Sequence, residues 1–253
     1  MVKTSTSAPS QLSPTLYPAD AFVWWQSLLL LVTLFFAQII PPAIVLAFMV
    51  VLKLATLRDM TVVSWPLIVA QLTVYAASIA ILAGALPALA HRSLAQLGLR
   101  APRWSDLMWG GAGAIAMLLA ATVVAVVEES VFHLKADEVQ VHLLRQAHGP
   151  LLAGFAFIAC IGAPVFEELT FRGFVFNALL RYMPVWLAVS LSAALFGLAH
   201  FQPGNGGAIL PLIAGGAVLA LVYYRSGSLV SSMLTHSLFN AFTVAAVAFG
   251  HGT

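Results

Sequence analysis

The sequence predicts an all-α membrane protein, a polytopic bundle of seven to eight transmembrane helices that encloses a polar cavity. Of its 253 residues, 61% are hydrophobic and only 8% are charged, and the mean hydropathy is +0.98. A soluble domain carries about 25% charged residues. The long apolar runs show no period-2 alternation, and only helices or closed barrels satisfy backbone groups in lipid. Acidic, basic and amide groups inside the later runs predict the cavity.

The apolar runs place the helices along the chain. Pro41-Pro42 interrupts the first run, which is therefore either one kinked helix or two elements. The run 182–224 is too long for one crossing, and its Pro/Gly cluster at 203–207 divides it. The resulting spans are 21–52, 60–90, 107–127, 146–180, 184–201, 207–224 and 228–249.

The remaining segments are a tail and two polar connections. Residues 1–20, rich in Ser, Thr and Pro, are expected to form a flexible tail before a single membrane-embedded domain at 21–253. Residues 91–106 are expected to form a surface loop, and 128–148 a partly amphipathic interfacial segment. A formal charge of +2 gives no basis for nucleic-acid binding, and Cys160 alone cannot form a disulfide within the chain.

Charged side chains become rare after His148 and then cluster. Glu167, Glu168 and Arg172 fall within one short stretch. A charge at the centre of a bilayer costs about 2.5–3.5 kcal/mol on insertion scales, so such groups usually serve a function. Glu168 and Arg172 share one helical face and suit an ion pair, whereas Glu167 points about 100° away.

Spacing predicts that Glu167 and His200 meet. Glu167 lies sixteen residues before Met183, and His200 lies seventeen after it. If residues 181–184 turn an antiparallel pair of helices, both groups lie ~25 Å from the turn and face each other at one depth. His236 and Asn240, four residues apart, present an imidazole and an amide on one face. Phe196, one turn before His200, is expected to pack beneath the site.

Structural explanations exist for each group. A membrane histidine or asparagine often only bonds a neighbouring helix, and the Glu168–Arg172 pair has a purely structural alternative. Their joint occurrence favours a site. A second acidic pair, Glu128-Glu129, ends a span without a following arginine and is expected to face water. Zincin, serine-elbow and nucleotide-binding motifs are absent from the sequence, which leaves acid–base chemistry on water.

The ordered motifs resemble a known family. Glu167-Glu168-x-x-x-Arg172, Phe196-x-x-x-His200 and His236-x-x-x-Asn240 are similar to the three motifs of the CAAX prenyl endopeptidase and bacteriocin-processing family (CPBP, or ABI). Gly173, the "LFGLAHF" around His200 and the "THSLFNAF" around His236 add to the similarity. The resemblance extends over about 95–245 and implies a multi-pass protease of the cell membrane.

The resemblance also implies roles. Glu167 would activate water with help from His200, while His236 and Asn240 would bind the oxyanion, and Glu168 and Arg172 would order them. It implies lipid and a peptide or lipidated protein as partners. Zinc is left open, with Glu167, His200 and His236 as its ligands if it binds. A non-catalytic scaffold of the same fold and a proton-coupled carrier stay as alternatives.

Two arguments about orientation conflict. With residues 21–52 as one crossing, Lys3, Arg92, Arg100, Arg103, Arg181 and Arg225 fall at one end of the bundle. Lys53, Arg58, Lys135 and Arg145 fall at the other, so the positive-inside rule places the first end in the cytoplasm. The family resemblance instead implies a site that opens to the cytosol, which places the 201–206 loop there.

Overall fold

A computed structural model describes residues 20–56, 63–134, 139–201 and 206–250, and every regular element in these ranges is helical. Their long apolar sequences satisfy the backbone within each helix, as lipid requires. The helices are α1 Trp24–Ala37, α2 Ile40–Val51, α3 Trp65–Ala90, α4 Trp104–Phe132, α5 Val139–Gln146, α6 Gly149–Tyr182, α7 Val185–Ala199, α8 Ile209–Ser226 and α9 Leu229–Phe249.

The predicted polytopic bundle is confirmed. Six stretches of the described chain are long and apolar enough to cross a membrane, and α7 is a shorter apolar helix. Large apolar side chains such as Leu28, Ile44 and Leu119 are exposed on its outside. The protein is therefore an integral, multi-pass membrane protein. The predicted tail 1–20 lies outside the described residues except for Asp20, as does most of the 203–207 cluster.

The first apolar run forms two helices that make one crossing. A turn at Gln38 and Ile39 separates α1 from α2, and the two together make one candidate span, Trp24–Val51. Pro41 and Pro42 occupy the first turn of α2. There the missing proline N–H removes no helical hydrogen bond. Both helices pack against α3.

Helix α6 departs from regular α geometry near the charged residues. It contains π-helical stretches at Ile158–Gly162 and Leu169–Phe176, which flank the α-helical segment Ala163–Glu168. A π-helical turn adds a residue and rotates the side chains that follow, and it occurs often at functional sites. Glu167 and Glu168 therefore lie between two local changes of helical phase.

The turns that set helix register have simple causes. α6 ends at Tyr182 and α7 begins at Val185, so only Met183 and Pro184 join the antiparallel pair, as predicted. α8 ends at Ser226, and the next residue, Gly227, has a φ of +63° that favours glycine. Ser228 then caps α9 by accepting a hydrogen bond from Ser231 N–H.

Hydrogen bonds join the connections at the end of the bundle where the α6–α7 and α8–α9 turns lie. Phe22 N–H donates to Leu89 O at 2.8 Å, and Leu229 N–H donates to Gly98 O at 3.1 Å. Tyr182 Oη donates to Phe22 O at 3.0 Å. A buried apolar cluster lies behind these contacts and includes Leu82, Leu86, Phe174, Phe176 and Leu229. This packing fixes α3, α6 and α9 relative to one another.

Candidate active site

Four polar side chains singled out in the sequence line one cavity. The cavity has a volume of about 280 Å³ and is lined by Glu167, His200, His236 and Asn240. Most of the remaining wall is apolar, with contributions from α3, α4, α5 and the N-terminal part of α6. Polar groups in such a wall interact more strongly than they would in water.

Glu167 lies between two imidazoles. Its Oε2 atom is 3.7 Å from His200 Nε2 and 3.8 Å from His236 Nε2. The side chain is 13% exposed, and Oε2 has no hydrogen-bond partner within the described part of the chain. The predicted proximity of Glu167 and His200 is confirmed. A general base acts on a proton directly or through one water molecule. Glu167 lines the cavity and is therefore placed to act on water there.

His200 is oriented by its own helix. It follows the last residue of α7, and its Nδ1 donates a hydrogen bond to Phe196 O at 2.8 Å. Since a carbonyl only accepts, Nδ1 carries hydrogen and Nε2 is the atom that faces Glu167. The Phe196 ring is buried and lies 4.8 Å from the His200 ring and 5.9 Å from the His236 ring. Phe196 thus packs beneath both histidines, as expected.

Glu168 orients His236 from outside the cavity. His236 Nδ1 donates to Glu168 Oε1 at 3.0 Å, which directs Nε2 toward Glu167. Glu168 Oε2 accepts a hydrogen bond from Ser232 Oγ, one turn before His236 on α9. Carboxylate partners of this kind fix the tautomer and orientation of a functional imidazole. The two adjacent glutamates therefore have different surroundings, as their 100° separation predicts.

Arg172 completes this support. Its side chain and that of Glu168 are fully buried, and Nη1 donates to Glu168 Oε1 at 3.0 Å. Nη2 donates to Gly216 O on α8 at 2.8 Å, and the guanidinium lies 4.9 Å from the centre of the Phe196 ring. One ion pair thereby joins α6, α8 and α9. Neither Glu168 nor Arg172 lines the cavity.

Asn240 lies in the wall and is anchored by α6. Its Nδ2 donates to Ala159 O at 2.7 Å, inside the π-helical stretch Ile158–Gly162. A carboxamide nitrogen has two hydrogens, so one N–H remains for the cavity.

The structure corrects one expectation and adds residues that the sequence did not single out. Glu129 is exposed, but Glu128 is 3% exposed and buried within α4, so the pair does not face water as a unit. Tertiary neighbours decide burial at a helix end, and the local sequence does not contain them. The sequence does contain one signal for Ser232, its i,i+4 spacing to His236. Gln71 and Tyr75 also line the cavity, from α3.

Three side chains of the site belong to types that bind zinc. Carboxylate and imidazole are zinc ligands, so Glu167, His200 and His236 are the residues that would bind one. Within residues 20–56, 63–134, 139–201 and 206–250, no group of three or more His, Cys, Asp or Glu side chains is arranged to hold a metal ion. Zinc stays a prediction without a preformed ligand set in the described chain.

Comparison with known proteins supports the family resemblance. A family model described as type II CAAX prenyl endopeptidase Rce1-like matches residues 149–242. The similarity is limited to residues 149–242, which are less than half of the chain. No match was found among curated proteins or solved structures. The matched segment contains every predicted site residue and is narrower than the 95–245 stretch of the resemblance. The family that this segment resembles consists of CAAX prenyl endopeptidases.

Proposed function

We propose that the chain is an intramembrane endopeptidase, which hydrolyses a peptide bond of a membrane-associated substrate with water activated by Glu167. The observation that carries the proposal is the position of Glu167 Oε2, 3.7 and 3.8 Å from two imidazole nitrogens in a largely apolar cavity. The Rce1-like match supports a CAAX-type substrate, and lipidated and plain peptides are both candidates.

Each residue of the site has a separate role in the proposed hydrolysis. Glu167 takes a proton from water, and the hydroxide oxygen bonds to the scissile carbonyl carbon. His200 Nε2, which faces Glu167, relays that proton to the amine as the C–N bond breaks. The second Asn240 N–H donates to the oxyanion, as does His236 Nε2 in the imidazolium form. Donors of this kind are worth about 2.7–4 kcal/mol each in a dry site. Glu168 and Arg172 position His236 without contact with the substrate.

The test is incubation of the purified protein with a library of farnesylated and unmodified peptides. Mass spectrometry then detects new termini. We expect cleavage by the wild type and none by Glu167→Gln. Glu129→Gln is the matched control, because it removes an exposed carboxylate of α4. Equal cleavage by wild type and Glu167→Gln would overturn the proposal. Proton-dependent flux in liposomes without cleavage would favour the carrier alternative. The absence of both cleavage and flux would favour the scaffold alternative.

A further inference from the structure

Helix α3 supplies polar groups to the cavity from outside the Rce1-like segment. Gln71 and Tyr75 are one helical turn apart, and both line the cavity. They lie well before residue 149, where the family match begins. The family motifs therefore assign them no role.

Tyr75 is held in a defined position. Its ring packs against Phe166, with the ring centres 5.5 Å apart and the planes inclined by 32°. It also lies over Gly162, where a Cβ atom would come within 2.9 Å of Tyr75 Cδ2. Any side chain at 162 would displace the ring. Phe166 immediately precedes Glu167, and the phenol interacts electrostatically with the Glu167 carboxylate.

Most other polar side chains of the wall are already engaged. Thr243 Oγ1 donates to Phe239 O at 3.2 Å. Asn240 Nδ2 and His200 Nδ1 donate to main-chain carbonyls of α6 and α7. Gln71 and Tyr75 share a side-chain hydrogen bond. A carboxamide has two N–H donors and a carbonyl acceptor, and a phenol both donates and accepts, so each side chain keeps hydrogen-bonding capacity for a ligand.

A peptide in this cavity needs such groups. Its backbone N–H and C=O groups leave water on entry, and a buried amide without a partner is costly. We propose that Gln71 and Tyr75 bind the main chain of the substrate opposite Glu167, with the Gln71 carbonyl accepting from a peptide N–H and the Tyr75 hydroxyl donating to a peptide carbonyl. They act as positioning residues. This inference rests on the proposed peptidase function.

Steady-state kinetics on the best-cleaved library peptide test the inference. Gln71→Leu and Tyr75→Phe each remove one polar group and retain bulk. Because one hydrogen bond is lost, we expect KM to rise about tenfold while kcat stays within about threefold. Thr73→Val is the matched control, since Thr73 lies on the same helix but does not line the cavity, and its hydroxyl bonds Val69 O. Unchanged KM in both cavity variants would overturn the inference, as would a fall in kcat alone.

A second experiment tests the proposed hydrogen bond between Gln71 and the substrate main chain. Replacing one peptide N–H of the substrate by an ester oxygen, scanned along the peptide, removes the proposed donor to Gln71. At one position the wild type should lose about tenfold in kcat/KM, while Gln71→Leu should lose nothing further. Equal losses of kcat/KM in both proteins at every position would show that Gln71 does not bind the main chain of the substrate.

Binding separates this inference from the peptidase proposal. A fluorescein-labelled, farnesylated peptide and its unmodified form are titrated into Glu167→Gln protein, with and without Gln71→Leu. If Gln71→Leu weakens binding and the wild type does not cleave, the role of Gln71 in substrate binding is supported and the peptidase proposal is rejected. If the wild type cleaves and Gln71→Leu leaves binding unchanged, the peptidase proposal is supported and the role of Gln71 is rejected. Absence of both binding and cleavage would overturn both.

Discussion

Glu167 and Glu168 are adjacent in sequence but differ in what a substitution removes. Glu167→Gln keeps the size of the side chain and eliminates the proposed base. We expect peptidase activity to fall at least about 100-fold, since general-base catalysis contributes about 10²–10⁴-fold. Detergent melting should shift only slightly, because Glu167 Oε2 has no hydrogen-bond partner in the described chain. Retained cleavage in this variant would remove the assignment of Glu167 as base.

Glu168 and Arg172 should instead control stability. Removing one member of a fully buried ion pair strands the other charge, at a cost of about 3–5 kcal/mol. We therefore expect Glu168→Ala and Arg172→Ala to lower the melting temperature in detergent far more than Glu167→Gln does. Arg225→Ala serves as control, since Arg225 is exposed at the end of α8. Equal melting temperatures for all four variants would contradict the structural role of the pair.

At the scale of the element, α6 depends on side chains that accommodate its π-helical stretch. Asn177 Nδ2 donates to Arg172 O at 2.9 Å, and to Tyr223 Oη at 2.9 Å on α8. Tyr223 Oη in turn donates to Leu97 O at 3.1 Å. Asn177→Leu leaves these buried partners unsatisfied, at about 1–3 kcal/mol. We expect a lower melting temperature and a smaller fall in activity than Glu167→Gln causes. Unchanged melting would show that the π-helical stretch does not need this amide.

Part of the element-level structure could be predicted from the sequence. The meeting of Glu167 with His200 follows from the turn at Met183 and Pro184, because helical rise converts equal spacing into equal depth. The spans follow from hydropathy. The π-helical stretches of α6 do not, since an apolar run contains no local signal for an extra residue per turn. The burial of Glu128 and the contribution of α3 to the cavity depend on which helices become neighbours. Spacing along one helix does not determine that.

At the scale of the whole molecule, the two ends of the bundle differ in charge and in tryptophan content. Arg92, Arg100, Arg103, Arg181 and Arg225 lie at the end where the connections from α3 to α4, α6 to α7 and α8 to α9 meet. Exposed Trp24, Trp104 and Trp186 begin α1, α4 and α7 at the same end. Tryptophans of this kind mark the membrane interface. The cavity lies toward the opposite end, beside α5 and His200.

This asymmetry leads to a prediction about orientation. Five Arg residues of the described chain lie at the arginine-rich end, whereas Lys53 and Arg145 lie at the other, so the positive-inside rule places the arginine-rich end in the cytoplasm. In a Cys160→Ser background, a membrane-impermeant maleimide applied to intact cells should label His148→Cys and not Ala95→Cys, both of which are exposed positions. Permeabilised cells should label both and serve as control. The reverse pattern would place the cavity end in the cytoplasm, where the family resemblance puts it. It would also show that this excess of positive charge does not set the topology of the bundle. The expected pattern would instead mean that substrates reach Glu167 from the side of the membrane opposite the cytoplasm.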